Sequence, residues 1–407
     1  MPVSVIVGAS QGGATAAAQL REEGYEGRIV LIGAESVPPY ERPPLSKEFL
    51  RGQRPLDDAL IRPDGWYEQN EIELRLGTRA ERVDTDAREV VLESGERVAF
   101  DQAVIATGSR NRRPPIPGID LENVFSLRTA ADAQAIADAA KVGTHAVLVG
   151  MGFIGAEVAA SLRYLGLDVT VVEFAETPLQ RVLGSELGRV LEGLHRDHGV
   201  EMYFGTGAER FEGNGRFEAM VTNKGQTIGG DFAVVGIGVE PVTEVVGGSA
   251  LEVDNGILVD AALRTNVAGV FAIGDVARHD HPVFGPVRVE HYDNALKMGA
   301  HVAGSMLGRN EPFDDAHWFW SDQYDADIQM AGFAIAWDEM VVRGNMEERE
   351  FAAFLLKDGQ LLSTFAMNRP REVRRSMKLI RAKAHPSPAA LADPDVDLRT
   401  LLPKEAA

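Results

Sequence analysis

One arrangement occurs twice in this chain, 142 residues apart: an apolar run, a glycine turn, a helix, a second apolar run and a terminal acid. The first copy reads Val3–Val7, then Gly8-Ala9-Ser10-Gln11-Gly12-Gly13, then an alanine-rich stretch over 14–21, a branched run Arg28–Ile32 and the acid Glu35. The second reads Ala146–Val149, then Gly150-Met151-Gly152-Phe153-Ile154-Gly155, then a helical pattern through Glu157, a branched run Asp168–Val172 and Glu173. Branched apolar runs without polar alternation predict parallel strands buried on both faces. Glycines at the turn are needed where a pyrophosphate must come close to the free N–H groups of a helix N-terminus, and the acid then accepts hydrogen bonds from ribose hydroxyls. One such turn is common in α/β proteins; two, each completed by a strand and an acid, predict a chain that binds two dinucleotides. The first copy has Ser10 at the middle glycine, a small residue that can itself donate a hydrogen bond.

A length of 407 residues, 45% hydrophobic and 25% charged, suits two or three globular domains. Cysteine is absent. That single zero removes disulfide scaffolds, thiolate-held zinc or iron–sulfur centres, thiolate nucleophiles and CxxC redox pairs. A net charge of -20 argues against nucleic acid as a partner, because phosphate binding needs a basic footprint. No basic segment precedes Val3–Val7, and no run approaches the ~18–20 apolar residues of a membrane span, so no membrane association and a cytoplasmic location are expected.

Further signals lie outside the two copies. Ala103-Val104-Ile105-Ala106-Thr107-Gly108 predicts a buried strand ending in a turn, and Pro114-Pro115-Ile116-Pro117-Gly118 a stiff crossing between domains. Val270–Ile273 followed by Gly274-Asp275 predicts another strand with an acid at its end, where a ribityl or ribose hydroxyl could be held. Together with the first glycine turn these suggest one domain assembled from both ends of the sequence. His195 and His198, and His279 and His281 around Asp280, lack a supporting ligand cluster; they are expected to be surface histidines, with no metal site.

The order of GASQGG, RPPLSK (Arg42–Lys47), IATG (Ile105–Gly108), GMGFIGAE (Gly150–Glu157), VFAIGDVA (Val270–Ala277), RVEHYDNA (Arg288–Ala295) and FWSDQY (Phe319–Tyr324) resembles the FAD-dependent, NADH-specific ferredoxin reductases of bacterial cytochrome P450 and aromatic-ring dioxygenase systems. The likeness spans nearly the whole chain, and its most specific parts are PPLSK and FWSDQY. It implies an α/β fold: two Rossmann-like dinucleotide-binding domains, glutathione-reductase-like, plus a C-terminal α+β domain. The expected limits are 1–112 and 243–312 for an FAD domain, 113–242 for an NAD domain and 313–407 for the C-terminal domain. Within the last, Glu339–Arg343, Glu350–Leu356 and Leu361–Met367 read as strands and Pro370–Ala384 as a closing helix.

The same resemblance implies residue roles. Toward FAD stand Gly8, Ser10, Gly12 and Gly13 at the pyrophosphate and Glu35 at the adenosine ribose, although some relatives carry the acid at the position of Ala34. Arg42, Lys47, Ala80, Ala106, Thr107, Gly108, Arg128, Gly274 and Asp275 line the cofactor. Glu290, His291 and Tyr292 lie at the isoalloxazine end, with Tyr292 where relatives often have Trp. Toward NADH stand Gly150, Gly152, Phe153, Ile154, Gly155, Glu173, Gly236, Ile237 and Gly238, and Trp320 lies against the cofactors or in the core. Glu173 would favour NADH over NADPH, and Thr177 occupies a position where relatives often have Arg. Lys47 and Glu157 resemble the catalytic pair beside the flavin, with a structural ion pair as the alternative.

The resemblance also implies hydride transfer from NADH to FAD and single-electron delivery to a [2Fe–2S] ferredoxin that feeds a P450 or dioxygenase. Arg369, Arg371, Arg374, Arg375, Lys378, Arg381 and Lys383, seven cations in fifteen residues, would steer that ferredoxin or form a solvated helix face. A monomer or weak homodimer is expected. A cysteine-free NADH oxidase and an NADH-responsive redox-sensing protein like apoptosis-inducing factor are the other readings open to these residues.

Overall fold

The computed structural model describes residues 1–334 and 336–403, and the chain divides into two compact units. One unit takes Met1–Glu41, Asp57–Arg110 and Glu240–Trp318. Its centre is a parallel sheet in the order Val270–Ala272, Gln102–Ile105, Val3–Val7, Arg28–Ile32, Ile72–Arg75. Val5 stands in register with Val30 on one side and Ala103 on the other, so the middle strands are covered laterally as well as on both faces. This is why they carry unbroken branched residues rather than an alternating pattern.

The helices Gln11–Glu22 and Tyr292–Met306 cross closely in this unit. A Cβ at Gly299 would stand 2.5 Å from the Gly12 carbonyl oxygen, so the crossing depends on a missing side chain. An antiparallel ribbon, Ala80–Asp84, Glu89–Leu92 and Arg97–Ala99, adds Val83, Val90, Leu92 and Val98 to the same core.

The strand Ala277–His281 corrects one expectation. His279 and His281 are buried while Asp280 is exposed, because His-Asp-His lies along a strand and successive side chains alternate sides. Three aromatic neighbours surround them: His279 and His281 lie 5.1 Å apart between ring centroids, and Phe284, Phe313 and His317 pack about His281.

The second unit takes Arg42–Leu56, Asn111–Val239 and the chain from Phe319 onward. It holds a second parallel sheet, ordered Glu201–Tyr203, Asp168–Val172, His145–Val149, Phe232–Val235, Val124–Phe125. Helix Ala130–Val142 begins at a capping box, in which Thr129 accepts from the Asp132 N–H and the Asp132 carboxylate accepts from the Thr129 N–H. The C-terminal part is an antiparallel sheet ordered Trp318–Gln323, Ala326–Gly332, Gln360–Met367, Glu350–Lys357, Glu339–Asn345. The strands foreseen over 339–343, 350–356 and 361–367 are therefore present, and the closing helix spans Pro370–Arg381.

This sheet is covered on both sides. On one, Ile328, Met330, Phe351, Ala353, Phe365 and Met367 share a core with Leu183, Leu187, Leu191 and Leu194 of helix Gln180–Asp197. On the other, the guanidinium of the fully buried Arg343 stacks over Phe354, pairs with Glu372 of helix Pro370–Arg381 at 3.3 Å and donates to the carbonyls of Ala390, Leu391 and Val396. His195 is another correction: it lies wholly buried in this unit because Gln323 and Tyr324 satisfy both of its ring nitrogens. Among the described residues no helix is long and apolar enough to cross a membrane.

Candidate functional site

In the first unit the glycine turn is forced by close backbone contacts. Gly8 has φ +120°, and a Cβ there would stand 2.1 Å from the Ala106 carbonyl oxygen; one at Gly13 would stand 1.9 Å from the Gly8 carbonyl oxygen. The helix that follows has Ser10 as its extended N-cap and no acid in its first turn, so its leading N–H groups face the turn without a negative side chain. Around this turn the fold gathers residues remote in sequence. Gly12 lies 3.3 Å from the Ala295 carbonyl at its would-be Cβ, Gly274 (φ +71°) faces Ala295, and the Ser109 hydroxyl donates to Asp275 at 2.6 Å. Thr107 donates to the Val242 carbonyl, and Gly108 takes a positive φ of 68°.

Glu35 follows the second strand, half-buried, and accepts from the Tyr40 hydroxyl at 2.6 Å, whereas Ala34 is exposed. The side chain that reaches inward is thus at 35. Ala80 is half-buried at the start of its strand. At the start of helix Tyr292–Met306, His291 is the N-cap, Glu290 pairs with Arg288 at 2.7 Å, and the Tyr292 hydroxyl donates to Glu41 at 3.2 Å. Burial lowers the His291 pKa to about 4, so this imidazole is neutral near pH 7.

The second unit repeats the device. Gly150 (φ +100°) would place a Cβ 2.4 Å from the Gly236 carbonyl oxygen, and Gly155 one 2.2 Å from the Gly150 carbonyl oxygen. At Gly152, by contrast, a Cβ would meet nothing within 4 Å: the middle glycine faces open space at the helix N-terminus, where a phosphate would lie. Glu173 accepts from the Met151 N–H at 2.6 Å and from the Ala175 N–H at 2.7 Å, which ties the acid directly to the turn. Ile154 in the turn, Phe174 after Glu173, and Ile237, whose backbone N lies 3.3 Å from a would-be Gly150 Cβ, are exposed large apolar side chains, and Gly238 has φ +99°. The ring of Phe153 lies 4.1 Å from that of Phe319. Thr177 is buried against Gly188, so this position points inward.

The same unit contains a buried ion pair. The Lys47 ammonium lies 2.7 Å from Glu157, with the two side chains 6% and 4% exposed. Arg42–Leu56 supplies the lysine through a short 3-10 turn, Pro43–Ser46, whose paired prolines fix the backbone. Glu157 comes from the second helix, Phe153–Tyr164. Its carboxylate also accepts from Ser46 at 2.5 Å and from Ser321 at 2.7 Å. Arg42 donates to the Arg128 carbonyl, which brings those two positions together. Trp320 is half-buried on the strand that carries Ser321.

Sequence reading did not find Ser46, Ser321 or Gln323 as participants. Two signals were available: Ser46 precedes the lysine inside PPLSK, and Ser321 and Gln323 occupy alternate positions of FWSDQY, which puts them on one strand face. The basic helix Pro370–Arg381 exposes Arg371, Arg374, Lys378 and Arg381 at helical spacing and buries Val373, Ser376, Leu379 and Ile380. Arg369 and Arg375 are half-buried on it. Both glycine turns fit a dinucleotide: they combine crowded glycines, a helix start without acids and an acid after the next strand.

Comparison with known proteins gives the following. A model of the pyridine nucleotide-disulphide oxidoreductase family matches residues 3–299, and a reductase C-terminal model matches residues 318–402. Rhodocoxin reductase of Rhodococcus erythropolis is 38% identical over 97% of this chain and 93% of its own. The ferredoxin–NAD(+) reductase component of an anthranilate 1,2-dioxygenase system from Burkholderia cepacia is 39% identical over 98% of each. Among solved structures, the ferredoxin reductase for the CYP199A2 system of Rhodopseudomonas palustris matches with a TM-score of 0.95 at 34% identity, covering 99% of this chain and 100% of that one. Putidaredoxin reductase in its covalent complex with putidaredoxin matches with a TM-score of 0.95 at 32% identity, covering 98% of each.

Proposed function

The chain belongs to the pyridine nucleotide-disulphide oxidoreductases that carry a reductase C-terminal domain, and from that premise we propose that it is an NADH-dependent ferredoxin reductase of a P450 or ring-hydroxylating dioxygenase system. The observation that carries this reading is the absence of cysteine. A member of this family without a thiol has no protein group to run a disulphide cycle, so electrons leave for an external acceptor. Relatives of the same length are named for ferredoxin reduction, which supports a [2Fe–2S] ferredoxin as that acceptor.

Bound FAD supplies the conversion between a two-electron hydride donor and one-electron acceptors. The residues of this chain bind, orient and tune it. We assign FAD to residues 1–112 and 243–312, with Gly8, Gly12 and Gly13 at the pyrophosphate, Glu35 at the adenosine ribose and Asp275 toward the ribityl chain. We assign NADH to residues 113–242, with Gly150, Gly152 and Gly155 at its pyrophosphate and Glu173 at its ribose hydroxyls. A carboxylate there repels a 2′-phosphate, which favours NADH over NADPH. Lys47 offsets the negative charge that the flavin gains on reduction, and Glu157 holds the ammonium in place. The exposed cations of helix Pro370–Arg381 attract an acidic ferredoxin. The reading also places the protein in the cytoplasm.

The test is NADH-driven cytochrome c reduction by the FAD-loaded protein, with and without a [2Fe–2S] ferredoxin from the same organism. A large ferredoxin-dependent rise is expected. Rapid flavin reduction with no rise for any native ferredoxin would overturn the proposal in favour of an oxidase or a sensor.

A further inference from the structure

Glu157 is the end of a buried hydrogen-bond chain that extends well beyond Lys47. Ser321 Oγ lies 2.7 Å from Glu157 Oε1, Gln323 Nε2 3.1 Å from Ser321 Oγ, His195 Nε2 2.9 Å from Gln323 Oε1, and Tyr324 Oη 3.0 Å from His195 Nδ1. Ser321, Gln323 and His195 are fully buried. The chain joins three elements of one unit: helix Phe153–Tyr164, helix Gln180–Asp197 and the strand Trp318–Gln323 with its following turn.

Its direction follows from the carboxylate. An ionised Glu157 only accepts, so Ser321 spends its one proton on Oε1 and must itself accept from Gln323. The Gln323 amide is thereby oriented with its oxygen toward His195, which puts the imidazole proton on Nε2. Nδ1 is left as a lone pair, and the Tyr324 hydroxyl donates to it. Every bond donates toward Glu157. Burial keeps the His195 pKa at about 4, so the imidazole holds this neutral form from pH 6 to 8.

The turn at the far end supports a selected role. Tyr324 has φ +58°, in a two-residue connection between the strands Trp318–Gln323 and Ala326–Gly332, where glycine is the unstrained choice. Its ring is stacked 3.6 Å from that of His198. The strain is tolerated at a residue whose hydroxyl closes the chain.

We propose that Ser321 and Gln323, backed by His195, are positioning residues that hold the Glu157 carboxylate aimed at Lys47. The proposal rests on the reading of Lys47 and Glu157 as the pair that serves flavin reduction. Glu157 Oε2 already accepts from Lys47 and Ser46, and Ser321 is the partner of Oε1. Without Ser321, one oxygen of a buried carboxylate loses its donor, which disfavours a buried charge. Lys47, from Arg42–Leu56, pairs with Glu157, and Asp322, next to Ser321 on its own strand, lies within the fields of both.

The experiment compares wild type, Ser321→Ala, Ser321→Thr, Gln323→Leu, Glu157→Gln and the double variant Ser321→Ala/Glu157→Gln, all saturated with FAD. Two quantities are read from pH 6 to 8: the rate of flavin reduction by NADH, and Tm. For Ser321→Ala the rate should fall at least about threefold more at pH 6 than at pH 8. Its Tm deficit, about 4 °C at pH 8, should shrink by about half at pH 6. Ser321→Thr should restore both, and Gln323→Leu should show the same trend more weakly. In the Glu157→Gln background the Ser321 change should carry no pH dependence.

A Ser321→Ala protein with wild-type profiles, or with a Tm loss and rate loss equal at all pH values, would overturn the proposal. So would a pH trend that survives in the Glu157→Gln background, since it would belong to Asp322. If Ser321→Ala does not fold, Gln323→Leu is judged by the same criteria. Should Glu157→Gln and Lys47→Met leave flavin reduction at the wild-type rate, it is the catalytic reading of the pair that fails; should they slow it while Ser321→Ala does not, only the positioning role fails.

Discussion

Replacing Lys47 by Met retains most of the aliphatic volume and removes one buried charge. The pair it breaks is 2.7 Å long and almost fully shielded from solvent. Taking away one partner of such a pair costs about 3–5 kcal/mol, because the other is left as an uncompensated buried charge. Ser46 and Ser321 still donate to Glu157 but carry no charge. The Pro43 carbonyl, 3.1 Å from the ammonium, also loses a donor, worth about 1 kcal/mol. For a cooperative unit of this size these costs lower Tm by on the order of 10 °C.

The pH dependence has a definite sign. A buried charge left without its partner is relieved by taking up a proton, so the deficit of the single variant shrinks as pH falls from 8 toward 5. The double variant Lys47→Met/Glu157→Gln removes the stranded charge and should recover all but about 1 kcal/mol at every pH. Both should remain slow in NADH-driven flavin reduction when followed by stopped-flow absorbance, which separates the chemistry from the stability. A single variant within about 1 kcal/mol of wild type, or a double variant no more stable than the single, would refute the reasoning.

Glu173→Gln keeps one carboxylate-like oxygen and loses the other, so it both loosens the Met151 turn and removes the charge; the ratio of kcat/KM for NADH over NADPH should drop about tenfold or more, and an unchanged ratio would remove Glu173 from coenzyme choice. Raising salt from about 50 to 500 mM should cut kcat/KM for the ferredoxin about tenfold, as should Arg371→Glu/Arg374→Glu, while flavin reduction by NADH stays constant. Equal losses in both half-reactions would place the basic helix outside docking. His195, His279 and His291 are held neutral with pKa values near 4, below the ordinary value of 6.5. The unfolded chain binds those protons first, as it does that of His317, which burial also holds well below 6.5, so stability should decline as pH falls from about 6.5 to 4, with these four histidines adding a slope that approaches four protons; denaturant melts showing a flat profile there would contradict these shifts.

The two glycine turns were legible because local backbone geometry dictates them: only glycine can stand where a Cβ would meet a carbonyl at about 2 Å, as at Gly8, Gly13, Gly150 and Gly155. The Lys47–Glu157 pair spans 110 residues and was reached through family likeness rather than through spacing. Ser321 lies 164 residues from Glu157, and nothing local to either residue announces their contact. His279 and His281 were misplaced for a simpler reason: a period of two across three polar residues is a strand signal that polarity disguised. The union of the C-terminal sheet with helix Gln180–Asp197 was equally hidden, although the unbroken run Phe351–Leu356 in Glu350–Lys357 already suits a strand covered on both faces.

The order of strands in the first sheet bears on how the chain is made. Val270–Ala272 pairs with Gln102–Ile105, yet about 165 residues separate them. During synthesis at roughly 5–20 residues per second, Gln102–Ile105 therefore emerges about 8–33 s before its neighbour exists. Through that interval an apolar strand presents unpaired N–H and C=O groups along one edge, a template for pairing with another nascent chain. Chains cut short between residues 240 and 270 should accordingly aggregate even though the second glycine turn and its strands Asp168–Val172 and Phe232–Val235 are already made. Slowing translation within that stretch should lower the yield of folded protein, and a chaperone that shields strand edges should restore it.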